Sequence, residues 1–442
     1  MSRYQIQGGL PLNGEVSIRG AKNASFKQII ASLLSPQSTS LYNLPDISDV
    51  HITVSVARSL GAQVNQLGPH GLEITASNFK NSVVPNGTGE KSRTSFMFAA
   101  PLLVRTGEAL VPIPGGDRLG ARPLDRLFDC YRQMGITVEE SDHSLAFRAQ
   151  KITGTHYIFP KPSHTVTEVV LMTAALALGD TVLENSAQEP EIDDLILMLN
   201  SMGARIARDP NNLSTIRIQG VTSLTGTEHQ VIADRNEAVT FACAALATKG
   251  SVSILRIHPQ TINTFLTTIE TMGARVNRGY DEVTVSWVNP LKPINIETAP
   301  EPGFMTDWQA VFSLVLSQAV GVSTVVERIY PSRFQHIATL NKMGVKTTFF
   351  NPQVTDPAAY YHFNPESDKP EYFHGVKICG PSHLSPAQLE VSDLRAGATA
   401  TLAALTATGQ STIMGVEYIE RGYEKLAERL RALNAKIEYI KT

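Results

Sequence analysis

The segment Pro114-Gly115-Gly116-Asp117-Arg118-Leu119-Gly120-Ala121-Arg122-Pro123 places one acid and two arginines among three glycines and two flanking prolines. Glycine admits positive φ and lets backbone amides come near a ligand, so such a loop can hold charged groups close to a bound molecule. By itself, a Gly-Gly-Asp segment is equally well a surface turn with solvated charges. Residues elsewhere add to the picture. Lys22-Asn23, Arg93, Ser163-His164, Asp234-Arg235, Thr306-Asp307 and Asp393-Leu394-Arg395 each stand at the start of an apolar, helix-like run. A helix N-terminus offers unpaired amides and a partial positive charge, which together hold an anion. Asp307, Asp393 and Ser163 are also residue types that cap helices, a role that does not exclude function. A second polar set, Asp117 to Arg122, Glu189-Pro190-Glu191, Arg333 and Arg421-Gly422-Tyr423, follows the strands after those helices. Both sets are expected to face one cleft. Five cations at matching positions, Lys22, Arg93, Arg122, Arg395 and Arg421, call for a substrate with carboxylate and phosphate groups, which a planar guanidinium grips at two points. No Walker pattern, dinucleotide fingerprint or metal motif competes.

The elements that must carry these residues recur. Leu60-Gly61-Ala62, Met134-Gly135-Ile136, Met202-Gly203-Ala204, Met272-Gly273-Ala274, Met343-Gly344-Val345 and Leu433-Asn434-Ala435 are six copies of one pattern, neighbours lying about 70 residues apart. Each is expected to end a helix in a left-handed residue and begin a strand. A second, apolar helix recurs over Asn23 to Leu34, Thr94 to Thr106, Val166 to Leu178, Glu237 to Thr248, Trp308 to Ala319 and Ala396 to Thr408. Its Ala-, Leu- and Val-rich faces predict burial on several sides. Five of these helices are expected to stop at Gly107, Gly179, Gly250, Gly321 and Gly409. Three copies would build each of two domains, 22–231 and 1–21 with 232–442. The fifth copy carries an insertion near 350–373, rich in proline and aromatics, read as a surface loop or hairpin without a catalytic role.

At 442 residues the chain is long enough for two or three domains. Its net charge of −3 leaves no electrostatic footprint for nucleic acid or an anionic membrane, so any anion site must be local. Cys130, Cys243 and Cys379 are too scattered for a metal site or a disulfide framework. The start has no apolar signal segment, and the run from Val169 to Leu178 is too short to span a bilayer. A reducing, cytoplasmic location without membrane insertion is expected.

Six motifs in order now carry a likeness. Gly20-Ala21-Lys22-Asn23-Ala24, the segment Gly115 to Pro123, Glu189-Pro190-Glu191-Ile192, Thr306-Asp307, Asp393-Leu394-Arg395-Ala396 and Arg421-Gly422-Tyr423-Glu424 together resemble the UDP-N-acetylglucosamine 1-carboxyvinyltransferase family of enolpyruvyl transferases. The resemblance covers essentially the whole chain. It implies an α/β enolpyruvyl transferase fold, two domains each built from three repeated strand-helix units, an inside-out α/β barrel. It also implies an activity, transfer of the enolpyruvyl group of phosphoenolpyruvate to the 3-hydroxyl of UDP-N-acetylglucosamine with release of phosphate, the first committed step of peptidoglycan synthesis. No cofactor or metal is implied, and the partners are those two small-molecule substrates.

By the same resemblance, Asp117 donates a proton to the methylene carbon and Asp307 serves the sugar hydroxyl, with Lys22 and Arg395 as further catalytic groups. Lys22, Asn23, Arg122, Arg395 and Arg421 match positions that bind phosphoenolpyruvate. Asn23, Arg93, Arg122, Pro123, Leu124, Asp125, Lys161, Ser163, His164, Asp307 and Ile329 match positions that hold the nucleotide sugar, and Arg333 and Asp393 support the cleft. Four departures stand out. Many members have cysteine where this chain has Asp117, which implies resistance to fosfomycin, the epoxide that alkylates that cysteine. Ser163-His164-Thr165-Val166-Thr167 replaces Ser-Val-Gly-Ala-Thr, Met305 replaces a proline, and Val83 to Lys91 is unlike the family. Three alternatives stay open: shikimate 3-phosphate as acceptor, another sugar nucleotide as acceptor, and a catalytically silent protein that keeps the cleft.

Overall fold

The structure, a computed structural model, describes residues 2–89, 93–113 and 124–441, with the side chains of 88, 89 and 93 excepted. The described residues divide into two compact units. The C-terminal unit comprises 2–19 and 233–441, and the N-terminal unit comprises 20–89, 93–113 and 124–232. Each unit encloses its own apolar core.

Three sheets belong to each unit, and their strand order repeats. Those of the C-terminal unit run Asn13–Ser17, Ser251–Leu255, Glu282–Ser286, Arg275–Arg278; then Asn295–Glu297, Gly321–Val326, Gly375–Gly380, Lys346–Phe350; then Gln388–Glu390, Gly409–Met414, Arg3–Gly8, Lys436–Ile440. Two in the N-terminal unit run Glu228–Gln230, Thr39–Tyr42, Leu72–Thr75, Gln63–Gln66 and His156–Ile158, Asp180–Glu184, Asn212–Gln219, Arg205–Asp209. In all five the first pair is parallel and the other two pairs are antiparallel. The sixth has Glu108–Pro112, Ser144–Arg148 and Thr137–Glu140, its parallel edge reduced to a single bridge between Val83 and Leu110. Strands such as Ser251–Leu255 alternate buried and half-exposed residues, as a sheet with one face on the core requires.

The buried helices are Lys22–Ala31, Ala99–Thr106, His164–Ala174, Arg235–Ala247, Gln309–Leu316 and Leu394–Thr406. Every residue of Arg235–Ala247 is buried, which its small Ala and Cys side chains allow because neighbouring helices can approach closely. In the C-terminal unit the three buried helices pack on one another. A second set, Ser48–Ser59, Asp125–Gln133, Pro190–Ser201, Asn263–Thr271, Gln335–Lys342 and Leu426–Ala432, ends in the repeated pattern read from the sequence. Gly61, Gly135, Gly203, Gly273, Gly344 and Asn434 all have positive φ there, so each turns the chain from helix into strand.

The expected glycine stops of the buried helices need correction. Gly107 is the C-cap of Ala99–Thr106, with φ 80°. The other helices end earlier: Gly321 and Gly409 open strands, while Gly179 and Gly250 follow short non-helical turns. Close approach explains two of these glycines, since a Cβ at Gly250 would lie 1.9 Å from the Leu12 carbonyl oxygen and one at Gly409 would lie 2.9 Å from the Pro386 ring. Among the described residues, no helix is long and apolar enough to cross a membrane.

Candidate active site

In the C-terminal unit, three of the residues singled out from the sequence meet in one cluster. Asp307 Oδ2 accepts a hydrogen bond from Arg395 Nη2 at 2.9 Å, and its Oδ1 accepts one from Arg333 Nη2. Arg333 and Arg395 are buried and Asp307 is half-buried. Burial works against both guanidinium charges, yet their pKa values are raised: Tyr423 and Asp307 outweigh burial at Arg395, and Asp307, Tyr330 and Glu327 do so at Arg333. Two guanidinium donors on one carboxyl group form a charge-assisted arrangement suited to a carboxylate acceptor.

The elements explain why the cluster forms. Asp393 caps Leu394–Thr406, its Oδ1 accepting from the backbone amides of Arg395 and Ala396 at 2.9 Å each. That cap places Arg395 in the first turn, where its Nη1 also donates to the Tyr423 hydroxyl at 2.9 Å. Tyr423 in turn lies 2.8 Å from Thr240 Oγ1 on the neighbouring buried helix. Asp307 is not a cap, because Trp308 is the N-cap residue of Gln309–Leu316; its carboxylate joins the arginine pair. Arg333 is held from behind as well, its carbonyl accepting from Gln309 Nε2 at 2.9 Å.

Glu327 organises the rest of this loop. Its buried carboxylate accepts from Ile329 N at 2.7 Å, Tyr330 N at 3.1 Å and Thr306 Oγ1 at 2.8 Å, tying Ile329 to the residue before Asp307. Burial pushes its pKa up, against Arg333 and those three hydrogen bonds. Arg421 is half-buried just beyond the short helix Val416–Ile419. Arg235 is almost fully buried and pairs with Glu301 at 2.5 Å, while Asp234 caps its helix through the amides of Asn236 and Glu237.

The N-terminal unit carries a second group. Lys22 is the first residue of Lys22–Ala31, and its Nζ lies 3.0 Å from Asp49 Oδ2; Asn23 follows, half-buried. Ser163 occupies the N-cap of His164–Ala174, but its side chain caps nothing, contrary to one reading of the sequence. His164 Nε2 lies 3.1 Å from Glu168 Oε1 and 3.3 Å from Lys27 Nζ, and Lys27 Nζ lies 2.6 Å from the same carboxylate oxygen. Lys27 and Glu168 are buried. Removing one partner of such a pair costs roughly 3–5 kcal/mol because the other charge is left unpaired in a dry site. For His164, burial lowers the pKa and Lys27 opposes protonation, but Glu168 and Glu189 outweigh both and the net shift is upward.

Around that group, Lys161 is half-buried and the Arg126 guanidinium donates to the Pro162 carbonyl at 3.3 Å. Arg126 thereby ties the segment before His164 to the start of Asp125–Gln133, where Leu124 is the half-buried N-cap residue and Asp125 is exposed. Arg93 heads the short 3-10 helix Arg93–Phe98. Asp117, Arg122 and Pro123 lie outside the described residues, as does the glycine-rich segment around them.

Four functional neighbours escaped the sequence reading: Asp49, Lys27, Glu168 and Glu327. The spacing of His164 and Glu168, four residues apart on one helix, signals one contact. Lys27 gives no such signal, since Glu168 and His164 arrive from a distant segment, and Glu327 meets Thr306 only through the fold, its other partners being the nearby amides of Ile329 and Tyr330. Among the described residues, no group of three or more His, Cys, Asp or Glu side chains is placed to hold a metal ion.

The family described as EPSP synthase (3-phosphoshikimate 1-carboxyvinyltransferase) matches residues 6–430. The UDP-N-acetylglucosamine 1-carboxyvinyltransferase of Idiomarina loihiensis is 36% identical over 442 residues, covering 100% of both chains. The UDP-N-acetylglucosamine 1-carboxyvinyltransferase 2 of Geobacillus kaustophilus is 35% identical over 437 residues, covering 99% of this chain and 96% of its own. In fold, the enolpyruvyl transferase NikO from Streptomyces tendae superposes with a TM-score of 0.84 at 24% identity, over 100% of this chain and 99% of that one. An EPSP synthase from Acinetobacter baumannii superposes with a TM-score of 0.74 at 18% identity, covering 100% of both. With this fold and relatives matched from end to end, the chain belongs to the enolpyruvyl transferase family, among the UDP-N-acetylglucosamine 1-carboxyvinyltransferases.

Proposed function

We propose that this protein transfers the enolpyruvyl group of phosphoenolpyruvate to the 3-hydroxyl of UDP-N-acetylglucosamine, in the cytoplasm, as the first committed step of peptidoglycan synthesis. The observation that carries the reading is the half-buried Asp307 carboxylate shared by the buried Arg333 and Arg395, in a chain whose end-to-end relatives bear that enzyme's name. In the addition step, Asp307 takes the hydroxyl proton as the sugar oxygen bonds to C2 of phosphoenolpyruvate, and Asp117 gives a proton to C3. In the elimination step, C3 loses a proton and the C2–O bond to phosphate breaks, releasing inorganic phosphate and leaving the enol ether. Lys22, Arg122, Arg395 and Arg421 neutralise the carboxylate and phosphate of the tetrahedral intermediate, which is electrostatic stabilisation. The Asp307–Arg395 contact must loosen as the proton is taken, because a carboxylate gripped by two guanidiniums is a weak base.

In this reading Asn23, Arg93, Pro123, Leu124, Asp125, Lys161, Ser163, His164 and Ile329 hold the nucleotide sugar, and domains at 22–231 and at 1–21 with 232–442 supply the two sets of groups. Asp117 in place of cysteine makes the protein resistant to fosfomycin, since no thiolate stands there to be alkylated. A second reading, another sugar nucleotide as acceptor, is favoured by the buried Lys27–Glu168–His164 charge cluster, which places charge where the family has an apolar residue. Phosphate release from phosphoenolpyruvate with UDP-N-acetylglucosamine, other UDP sugars and shikimate 3-phosphate separates the possibilities. The expected result is fastest release with UDP-N-acetylglucosamine and none without an acceptor. Faster release with shikimate 3-phosphate would overturn the proposal, and silence with every acceptor would point to a binding protein.

A further inference from the structure

The aromatic insertion forms an ordered body rather than a loose loop. It joins the antiparallel strands Lys346–Phe350 and Gly375–Gly380 through residues 351–374, whereas corresponding connections in four other sheets are only 67–71, 141–143, 210–211 and 279–281. Tyr361, Phe363 and His374 stack together, ring centroids 4.7 to 5.2 Å apart, and all three are buried. His374 Nε2 lies 3.0 Å from Asp368 Oδ2, its backbone amide donates to Asn351 Oδ1 at 2.8 Å, and Phe349 stacks on Phe373. Both ends of the connection are thus tied to its interior.

This body grips the loop that carries Ile329 and Arg333. The Glu327 amide donates to the His374 carbonyl at 2.8 Å, and the His362 amide donates to the Arg328 carbonyl at 2.7 Å. The Arg328 guanidinium lies 4.2 Å over the Tyr360 ring, donates to the Tyr360 carbonyl from Nε at 3.1 Å and Nη2 at 2.9 Å, and reaches Glu297 Oε2 at 3.1 Å. Its own amide donates to Thr298 Oγ1 at 2.8 Å. Beyond Arg328 the Glu327 carboxylate sets Ile329, Tyr330 and Thr306, and the chain runs on to Arg333 at Asp307. An arginine's planar fork is suited to such multipoint fixing.

We propose that the insertion is a brace for the acceptor-binding loop, with Arg328 as the positioning residue that transmits its hold to Ile329. The inference rests on the functional reading above, in which Ile329 touches the nucleotide sugar. Its consequence is acceptor affinity, because neither Arg328 nor the insertion is assigned to the reacting atoms.

Two variants test this. Arg328→Ala removes the fork, and Tyr360→Ala removes the ring beneath it while leaving the carbonyl acceptor, a milder change that remains informative if the first variant folds poorly. Amide exchange at Ile329 and Tyr330, measured without substrate, should accelerate at least about tenfold in Arg328→Ala and less in Tyr360→Ala. The KM for UDP-N-acetylglucosamine should rise about tenfold in Arg328→Ala, kcat should stay within about threefold, and the KM for phosphoenolpyruvate should be unchanged. Unaltered exchange in both variants overturns the brace, and faster exchange with unaltered acceptor KM overturns its role in positioning. Inertness of the unmodified protein toward UDP-N-acetylglucosamine would instead fail the functional reading, which the substrate-free exchange measurement does not depend on.

Discussion

The proposed mechanism gives Asp307 and Asp117 opposite proton-transfer roles, and each role sets its own requirement. Among the described residues, Asp307 pairs with Arg333 and Arg395, and it must part from such partners to act as a base. Asp117 must act as an acid, although a carboxyl group has a reference pKa of about 3.9 and Arg118 and Arg122 neighbour it in sequence. Desolvation when the loop closes on substrate is the force that can raise it, since loss of water disfavours the carboxylate. Asp117→Asn should therefore fold and bind nucleotide sugar but lose on the order of 10²-fold or more in turnover, the usual worth of a general acid. Asp117→Cys should keep measurable turnover and become sensitive to fosfomycin, and the unmodified protein should resist it. Steady-state rates with and without the drug check both statements, and near-normal turnover by Asp117→Asn would remove this residue from the mechanism.

The helix His164–Ala174 shows what an element adds to a residue. A cation in the first turn meets the positive end of the helix dipole, so a protonated His164 needs a compensating anion. Glu168 supplies it one turn later, with Glu189 adding to it and Lys27 opposing it. Because the folded-state pKa of His164 is raised above its unfolded value of about 6.5, its contribution to stability is fully present below that value and is lost as pH rises through the folded one. The unfolding midpoint of the unmodified protein should thus exceed that of His164→Gln by more at pH 6 than at pH 8. An interaction of about 1 kcal/mol would make the difference roughly 2–4 °C in a unit of this size. Thermal melts across that range check it, and a gap that stays constant or widens with rising pH would contradict it. The i, i+4 spacing of His164 and Glu168 is legible in the sequence. Lys27 is not, because it comes from a different helix and only packing brings it to the same carboxylate oxygen.

For the molecule as a whole, the two units divide the proposed roles: Lys22 and His164 belong to one, and Asp307, Arg333 and Arg395 to the other. If both serve a single substrate, UDP-N-acetylglucosamine should slow amide exchange in each unit, at 161–164 and at 327–333, and over Pro112 to Pro123. Exchange measured at saturating nucleotide sugar checks this, with phosphoenolpyruvate alone as the control. Protection confined to one unit would argue against joint binding.

The sixfold architecture was legible in the linear pattern because its causes are local. A glycine or asparagine follows each helix of the second set in the left-handed region, and apolar runs such as that in Arg235–Ala247 mark buried helices, whatever the rest of the chain does. The arginines and acids were legible as types at recurring positions. Their pairing was not. Asp307 had the sequence context of a helix cap, and only the fold sets it beside Arg333 and Arg395. Lys27 carries no local mark, for its partner Glu168 lies far away in the chain, and only the fold brings Thr306 to Glu327. The insertion reads from sequence as a surface loop or hairpin without a catalytic role, because aromatic composition alone cannot say that His374 and His362 reach back to Glu327 and Arg328. Local backbone preference is written in neighbouring residues, whereas the pairing of charges depends on contacts that exist only after distant segments have packed.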